Sequence, residues 1–312
     1  MQNLVIVLIT LNFFLQIATA QSILQSFGTG ANQFTIEFVE IGNPGNQADN
    51  TGYGSVSYLY NIGKYEISRD IINKANQESG LGITLFDMTN YGGNSNLNRP
   101  ASGITWKEAA RFVNWLNTSK GSAAAYKFDL SGNYQIWTSA DSGFNPANPY
   151  RNNLARYWLP SADEWYKSAY SNPTGNWFDF ANGGNTAPNP VVSGTGLLDA
   201  VYGQATSSGP AEVNSAGGLS PWGTMAQSGN VWEWTESAYD GVNNDPNENR
   251  ERRGGSWYSN ATTLGTSQRH SYDPAISEVN IGFRVAELPE PSALSLFAVG
   301  LGVVLRRRRR TV

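Results

Sequence analysis

The chemistry open to this 312-residue chain is bounded first by what it lacks: it has no cysteine and a single histidine, His270. Without thiols there is no cysteine nucleophile, no disulfide and no thiolate metal ligand, and one imidazole excludes a multi-histidine metal centre. His270 stands beside Arg269 and two residues before Tyr272, a setting in which it could act as a base. The more ordinary reading is a hydrogen-bonded surface or cleft histidine. Serines and aspartates are plentiful, but no Gly-x-Ser-x-Gly nucleophile elbow organises them into a triad.

Whatever these residues do, a folded scaffold must position them. Charged residues make up only 15% of the chain, against 10 Trp, 15 Tyr and 33 Gly, a loop-rich and aromatic composition rather than that of a disordered chain. Phe34 to Phe38 alternates as a strand, and Val56 to Glu66 is rich in β-favouring residues and reads as another. Asn43-Pro44-Gly45-Asn46 between them is a turn or loop. Ser68 suits the N-cap of a helix over 69–79, with Gly80 at its end. Thr105-Trp106-Lys107-Glu108 and Ser161-Ala162-Asp163-Glu164 are capping boxes. Each leads an apolar stripe: Trp106, Ala109, Ala110, Val113 and Leu116 in the first helix, then Ala162, Trp165, Tyr166 and Ala169 in the second, which Asn172-Pro173 ends.

Residues 174–226 are dominated by Gly, Asn, Ser, Thr and Pro and read as long loops. Val231 to Trp234 and Arg253 to Trp257 read as short strands beside tight turns, and Ile281 to Val285 as the last strand. With no fixed-period repeat and no linker before Leu288, the body is expected to be one α+β domain.

The two ends differ from the body. Leu4 to Ile17 is almost wholly apolar and leads to Ala18-Thr19-Ala20, so residues 1–20 read as a signal peptide, or as a membrane anchor if uncleaved. Residues 289–312 begin with Pro289-Glu290-Pro291, continue through an uncharged stretch from Ser292 to Leu305, and close on Arg306 to Arg310. That order predicts a body outside the membrane and arginines inside. Between these segments the body carries 16 basic and 24 acidic residues, a net of −8 that argues against nucleic acid as a partner. The tripartite tail resembles the PEP-CTERM sorting signal of Gram-negative bacteria. This resemblance implies handling by an exosortase and delivery to the cell surface or an extracellular polysaccharide matrix; a plain membrane anchor would give the same topology.

Six segments of the body occur in a telling order: Ile62 to Ser68, Ile104 to Ala109, Leu159 to Trp165, Gly229-Asn230-Val231-Trp232-Glu233-Trp234, Arg253-Gly254-Gly255-Ser256-Trp257 and Gly282-Phe283-Arg284. Together they resemble the formylglycine-generating enzyme, or sulfatase-modifying factor, family over roughly residues 34–287, which makes 21–288 a domain of that type. The resemblance implies a C-type-lectin-like α+β fold with little regular secondary structure. It also implies a structural calcium held by the carbonyls of Gly229 and Val231 and the carboxylate of Glu233. The family usually has Asp or Asn at the position of Ala226, so one side-chain ligand is missing; Glu233 could instead accept hydrogen bonds from loop amides.

The family's enzymes oxidise a substrate cysteine with a pair of copper-binding cysteines, whose positions fall near Ser259 and Leu264 here, so no copper is expected. Trp222, Trp257, Tyr258, Arg269 and His270 lie in or next to the motifs that flank the family's substrate cleft. Their aromatic faces and polar groups would suit sugar rings or a peptide, or simply internal packing. The expectation is an exported, non-catalytic binding or structural module whose partners are extracellular polysaccharide or an envelope protein. An enzyme with a non-thiol site, or an accessory subunit, is the alternative.

Overall fold

A computed structural model describes residues 23–290; the proposed signal peptide and the apolar and polyarginine parts of the tail lie outside them. In chain order the strands are β1 (Ile23–Phe27), β2 (Phe34–Ile41), β3 (Tyr60–Gly63), β4 (Lys127–Phe128), β5 (Tyr134–Gln135), β6 (Tyr157–Trp158), β7 (Asn189–Pro190), β8 (Asp199–Ala200), β9 (Trp232–Ala238), β10 (Arg250–Arg253), β11 (His270–Tyr272), β12 (Ile281–Gly282) and β13 (Ala286–Glu287). The α-helices are α1 (Arg69–Ser79), α2 (Trp106–Thr118) and α3 (Ala162–Tyr170).

The strands form a five-stranded antiparallel sheet, β1-β2-β3-β13-β6, and a four-stranded sheet, β11-β10-β9-β12, with two short pairs beside them. In β2 the alternation of Phe34, Ile36 and Phe38 with Thr35 and Glu37 directs the apolar residues into the main core, where Phe34 stacks on Phe27 of β1. Phe27 in turn meets Tyr157 of β6 edge-on at 5.3 Å, so the two outer strands of the five-stranded sheet are brought close.

The helices follow their caps. Ser68 accepts from the Ile71 amide at the start of α1, and Gly80 ends it in the left-handed conformation. Both capping boxes are closed, Thr105 with Glu108 and Ser161 with Glu164. The apolar stripe of α2 is buried, and Trp106 at its first turn donates to the carbonyl of Thr235 in β9, tying the helix to the four-stranded sheet.

Two strands differ from expectation. The Val56 to Glu66 strand contracts to Tyr60–Gly63, because its partner β2 ends at Ile41, opposite Tyr60, and leaves Tyr58 and Leu59 without a ladder. The Ile281 to Val285 strand divides: Ile281–Gly282 runs parallel to β9, while Ala286–Glu287 inserts between β3 and β6. Phe283, Arg284 and Val285 therefore cross from one sheet to the other. The loops of 174–226 are pinned by hydrogen bonds as a segment of that length requires, for example Tyr202 to the Pro188 carbonyl and the Ala211 amide to Asn230.

Removing the hydroxyl of Thr105 orphans one amide at the N-terminus of α2 and frees Glu108 from its box. Thr105→Ala should lower the unfolding free energy by about 1 kcal/mol, measured by urea titration with the native fold retained by circular dichroism.

Candidate functional site

Glu233 lies in the middle of the domain, on the face of β9 opposite Trp232 and Trp234. Arg284 grips it with two hydrogen bonds, Nε to Oε2 and Nη2 to Oε1, each 2.6 Å, and Trp165 of α3 donates to Oε2 at 2.7 Å. The remaining guanidinium donors go to the carbonyls of Gly63, Lys64 and Met225. Both side chains are fully buried.

The carboxylate that the family resemblance gives to a calcium is paired here with Arg284, and Ala226, at φ 68, supplies no side-chain ligand. A Cβ at Gly229 would lie 2.2 Å from the Val201 carbonyl oxygen, and the Val231 amide donates to Glu66. Among the described residues no group of three or more His, Asp or Glu side chains could hold a metal ion.

Glu66 is the second carboxylate of this centre. It accepts from Asn230 Nδ2 at 2.6 Å, and it is fully enclosed. Burial, and then the charge of Glu233, push its carboxyl well above the ordinary range, since Arg284 alone offsets only one of the two charges. The sequence offered Glu66 as part of a motif but gave no sign of this environment.

Strand β10, Arg250-Glu251-Arg252-Arg253, carries a second feature that sequence reading missed. Each of its guanidinium groups lies over aromatic rings. Arg250 sits 4.0 Å from the centroid of Tyr150 and 4.6 Å from Trp106, Arg252 sits 4.4 Å from Tyr272, and Arg253 sits 4.4 Å from Tyr53. Glu251 bridges Arg253 at 2.5 Å and Arg269 at 2.9 Å. The available signal was an all-charged run in a segment bounded by strand and turn motifs: inside a sheet covered on both faces, such residues must be paired.

Of the five residues expected to flank a cleft or to pack internally, the two tryptophans are interior. Trp222 is a core residue, donating to Ser171 and packed beside Gly42, and Trp257 is fully buried with its indole N–H on the Thr206 carbonyl. Neither offers a face to a ligand. Arg269 is committed to Glu251, the Tyr239 carbonyl and the Tyr239 ring. Tyr258 and His270 are exposed. Tyr258 stands edge-on to Trp257, and His270 rests on Trp232 at 4.6 Å. Both lie in the field of Arg252, which pairs with Glu278 at 3.2 Å. Partial burial, and then Arg252, lower the imidazole pKa below its ordinary value.

Ser259 and Leu264, near which the resemblance would put the family's cysteines, lie close together. A Cβ on Gly255 would lie 3.1 Å from Leu264 Cδ2 and 3.5 Å from Ser259 Cβ. Ser259 Oγ accepts from the Ser256 amide, and the Leu264 side chain is buried.

Three helices, many short strands and long pinned loops define an α+β domain of the C-type-lectin-like class. Residues 31–288 match the Sulfatase-modifying factor enzyme 1-like domain, and the chain belongs to that family. Among solved structures it is similar to Treponema denticola variable protein 1 (17% identity, TM-score 0.58), covering 86% of this chain and 99% of that one. It is also similar to CarF (18%, 0.56; 82% and 99%) and to PvdO from Pseudomonas aeruginosa (16%, 0.53; 85% and 98%). At these identities the likeness is one of fold. No curated protein sequence matches the chain.

Two variants test the central charges. Glu233→Gln leaves Arg284 buried with a neutral partner and should cost about 3–5 kcal/mol of stability, read by denaturant unfolding. For Glu66, the raised carboxyl stabilises the fold fully below the unfolded pKa, and that stability is lost as pH rises through the folded value. Glu66→Gln keeps an acceptor for Asn230 and removes the loss. Its melting temperature should exceed the wild type's at pH 8, with the gap closed by pH 4.

Proposed function

We propose that this protein is an exported, non-catalytic binding or structural module of a Gram-negative cell envelope, built on a sulfatase-modifying-factor domain. The observation that carries the reading is the pair Ser259 and Leu264, which meet beside Gly255 where the family resemblance calls for two cysteines, in a chain without any cysteine. Oxidation of a substrate cysteine by copper needs soft thiolate ligands for Cu(I). A hydroxyl that accepts from the Ser256 amide and a buried isobutyl group supply none.

The surface left for recognition is that around Tyr258 and His270, with Arg252, Tyr272 and Glu278 beside them. It offers exposed rings, an imidazole and a paired guanidinium, a chemistry suited to the faces and hydroxyls of a polysaccharide. Export is supported by the apolar segment ending in Ala18-Thr19-Ala20. Surface or matrix delivery, with processing by an exosortase, is supported by the Pro-Glu-Pro, apolar and polyarginine order of residues 289–312.

Two measurements test the reading. The purified protein, incubated with copper, oxygen and a cysteine-containing sulfatase peptide, should form no aldehyde by mass spectrometry; stoichiometric aldehyde would overturn the non-catalytic assignment. Envelope polysaccharide should be retained by the immobilised protein. The double variant Tyr258→Ala/His270→Ala should weaken that retention by roughly two- to tenfold for each ring removed, and unchanged retention would remove this surface from the proposal.

A further inference from the structure

The five-stranded sheet fixes where both terminal segments join the domain. Glu40, Asn61, Glu287 and Tyr157 form one row across β2, β3, β13 and β6. The chain leaves β13 outward from this row through Leu288, whose amide donates to the Arg156 carbonyl. Strand β1 starts at the same end, with Ile23 opposite Phe38, two residues from Glu40. The apolar stretches 4–17 and 292–305 are thus joined to one end of one sheet.

Four large apolar side chains are exposed at that end, beside the exposed Glu40 and the pair Arg156–Glu290. Immediately outward of the row, Leu154 is 59% exposed, Leu288 51%, Leu59 42% and Tyr58 40%. Tyr58, Ala155, Trp158 and Leu288 line a cavity of about 190 Å³ whose polar side is made by Arg151 and the amides of Asn145, Asn152 and Asn153, so these segments adjoin in space. No ladder covers Tyr58 and Leu59, since β2 ends opposite Tyr60. The β1–β2 turn at Ala31, also exposed, closes the opposite end, six residues or about 20 Å along β2 from the row.

We propose that Tyr58, Leu59, Leu154 and Leu288 form the face by which the domain rests on a lipid bilayer, next to the point where the C-terminal apolar segment enters it. The inference rests on the reading of that segment as membrane-associated. A domain tethered at Leu288 through only Pro289, Glu290 and Pro291 is held within reach of the lipid surface, and the exposed aliphatic groups at the tether are those that contact would bury.

The absence of cysteine permits a direct test. Single variants Leu59→Cys, Leu154→Cys and Ala31→Cys of the full chain, each labelled with an environment-sensitive fluorophore, are reconstituted into phosphatidylethanolamine–phosphatidylglycerol vesicles containing nitroxide-labelled lipid. Labels at 59 and 154 should be quenched several-fold more than the label at 31 in the vesicle fraction. Equal quenching at all three positions, or none at 59 and 154 while the protein floats with the vesicles, would overturn the face and leave the anchor standing. A chain that fails to float would refute the anchor, and the face with it.

Discussion

The fold turns on one guanidinium. Arg284 lies on the short segment that carries the chain from β12 in the four-stranded sheet to β13 in the five-stranded sheet, so its side chain is enclosed between the two. A buried arginine must satisfy all its donors, and this one does so with a carboxylate from β9, carbonyls at the end of β3, and the Met225 carbonyl from the long loop. Trp165 of α3 closes the carboxylate from the other side. Two sheets, a helix and a loop thus meet at one ion pair whose parts are far apart in sequence. Its geometry holds only when all of them are in place, which gives the pair a role in specifying this arrangement as well as in stabilising it.

The same arrangement recurs in a second place. Arg151 stands between Glu164 and Glu236, both fully buried, and again one cation faces two carboxylates. Here the two acids diverge. For Glu164 the penalty of burial is outweighed by Arg151 and by the hydrogen bonds from Tyr58, Ser161 and Trp158, and its pKa falls. Burial raises that of Glu236, which leans on Asn148 and Tyr126. Glu164 is also the box residue of α3, so the local device that starts a helix and the long-range device that fixes it share one carboxylate. In a domain with no disulfide, such cross-links by charge and hydrogen bond, together with the aromatic cages of β10, tie long loops to short strands.

Local signals were legible in the sequence wherever the physics is local. The caps at Ser68, Thr105 and Ser161 and the left-handed Gly80 place three helices at their observed starts, because capping is decided within four residues. The strands were less so. Val56 to Glu66 has strand-like composition over its whole length, yet only the part facing β2 is paired; a ladder depends on where the partner ends. Ile281 to Val285 reads as one strand because nothing local announces that Arg284 must turn inward between two sheets. The site failed to be legible for the same reason. Loop sequence left Trp222 and Trp257 open to either a cleft or internal packing, and only the fold shows their indole N–H groups on Ser171 and the Thr206 carbonyl inside the domain.

Glu233 and the pair Ser259–Leu264 contrast in what packing can supply. A cation can hold a carboxylate inside a loop-rich domain, and Arg284 does so for Glu233. The cysteine positions pose a different problem, because no packing residue can replace a thiolate as a ligand. Near where the resemblance would put them, Ser259 and Leu264 lie beside Gly255, at φ 79, and neither side chain is left unsatisfied: Ser259 accepts from the Ser256 amide and Leu264 is buried. A hydroxyl and an isobutyl group fill that space without offering a soft ligand, and the proposal that this domain works through its surface rests on that chemistry.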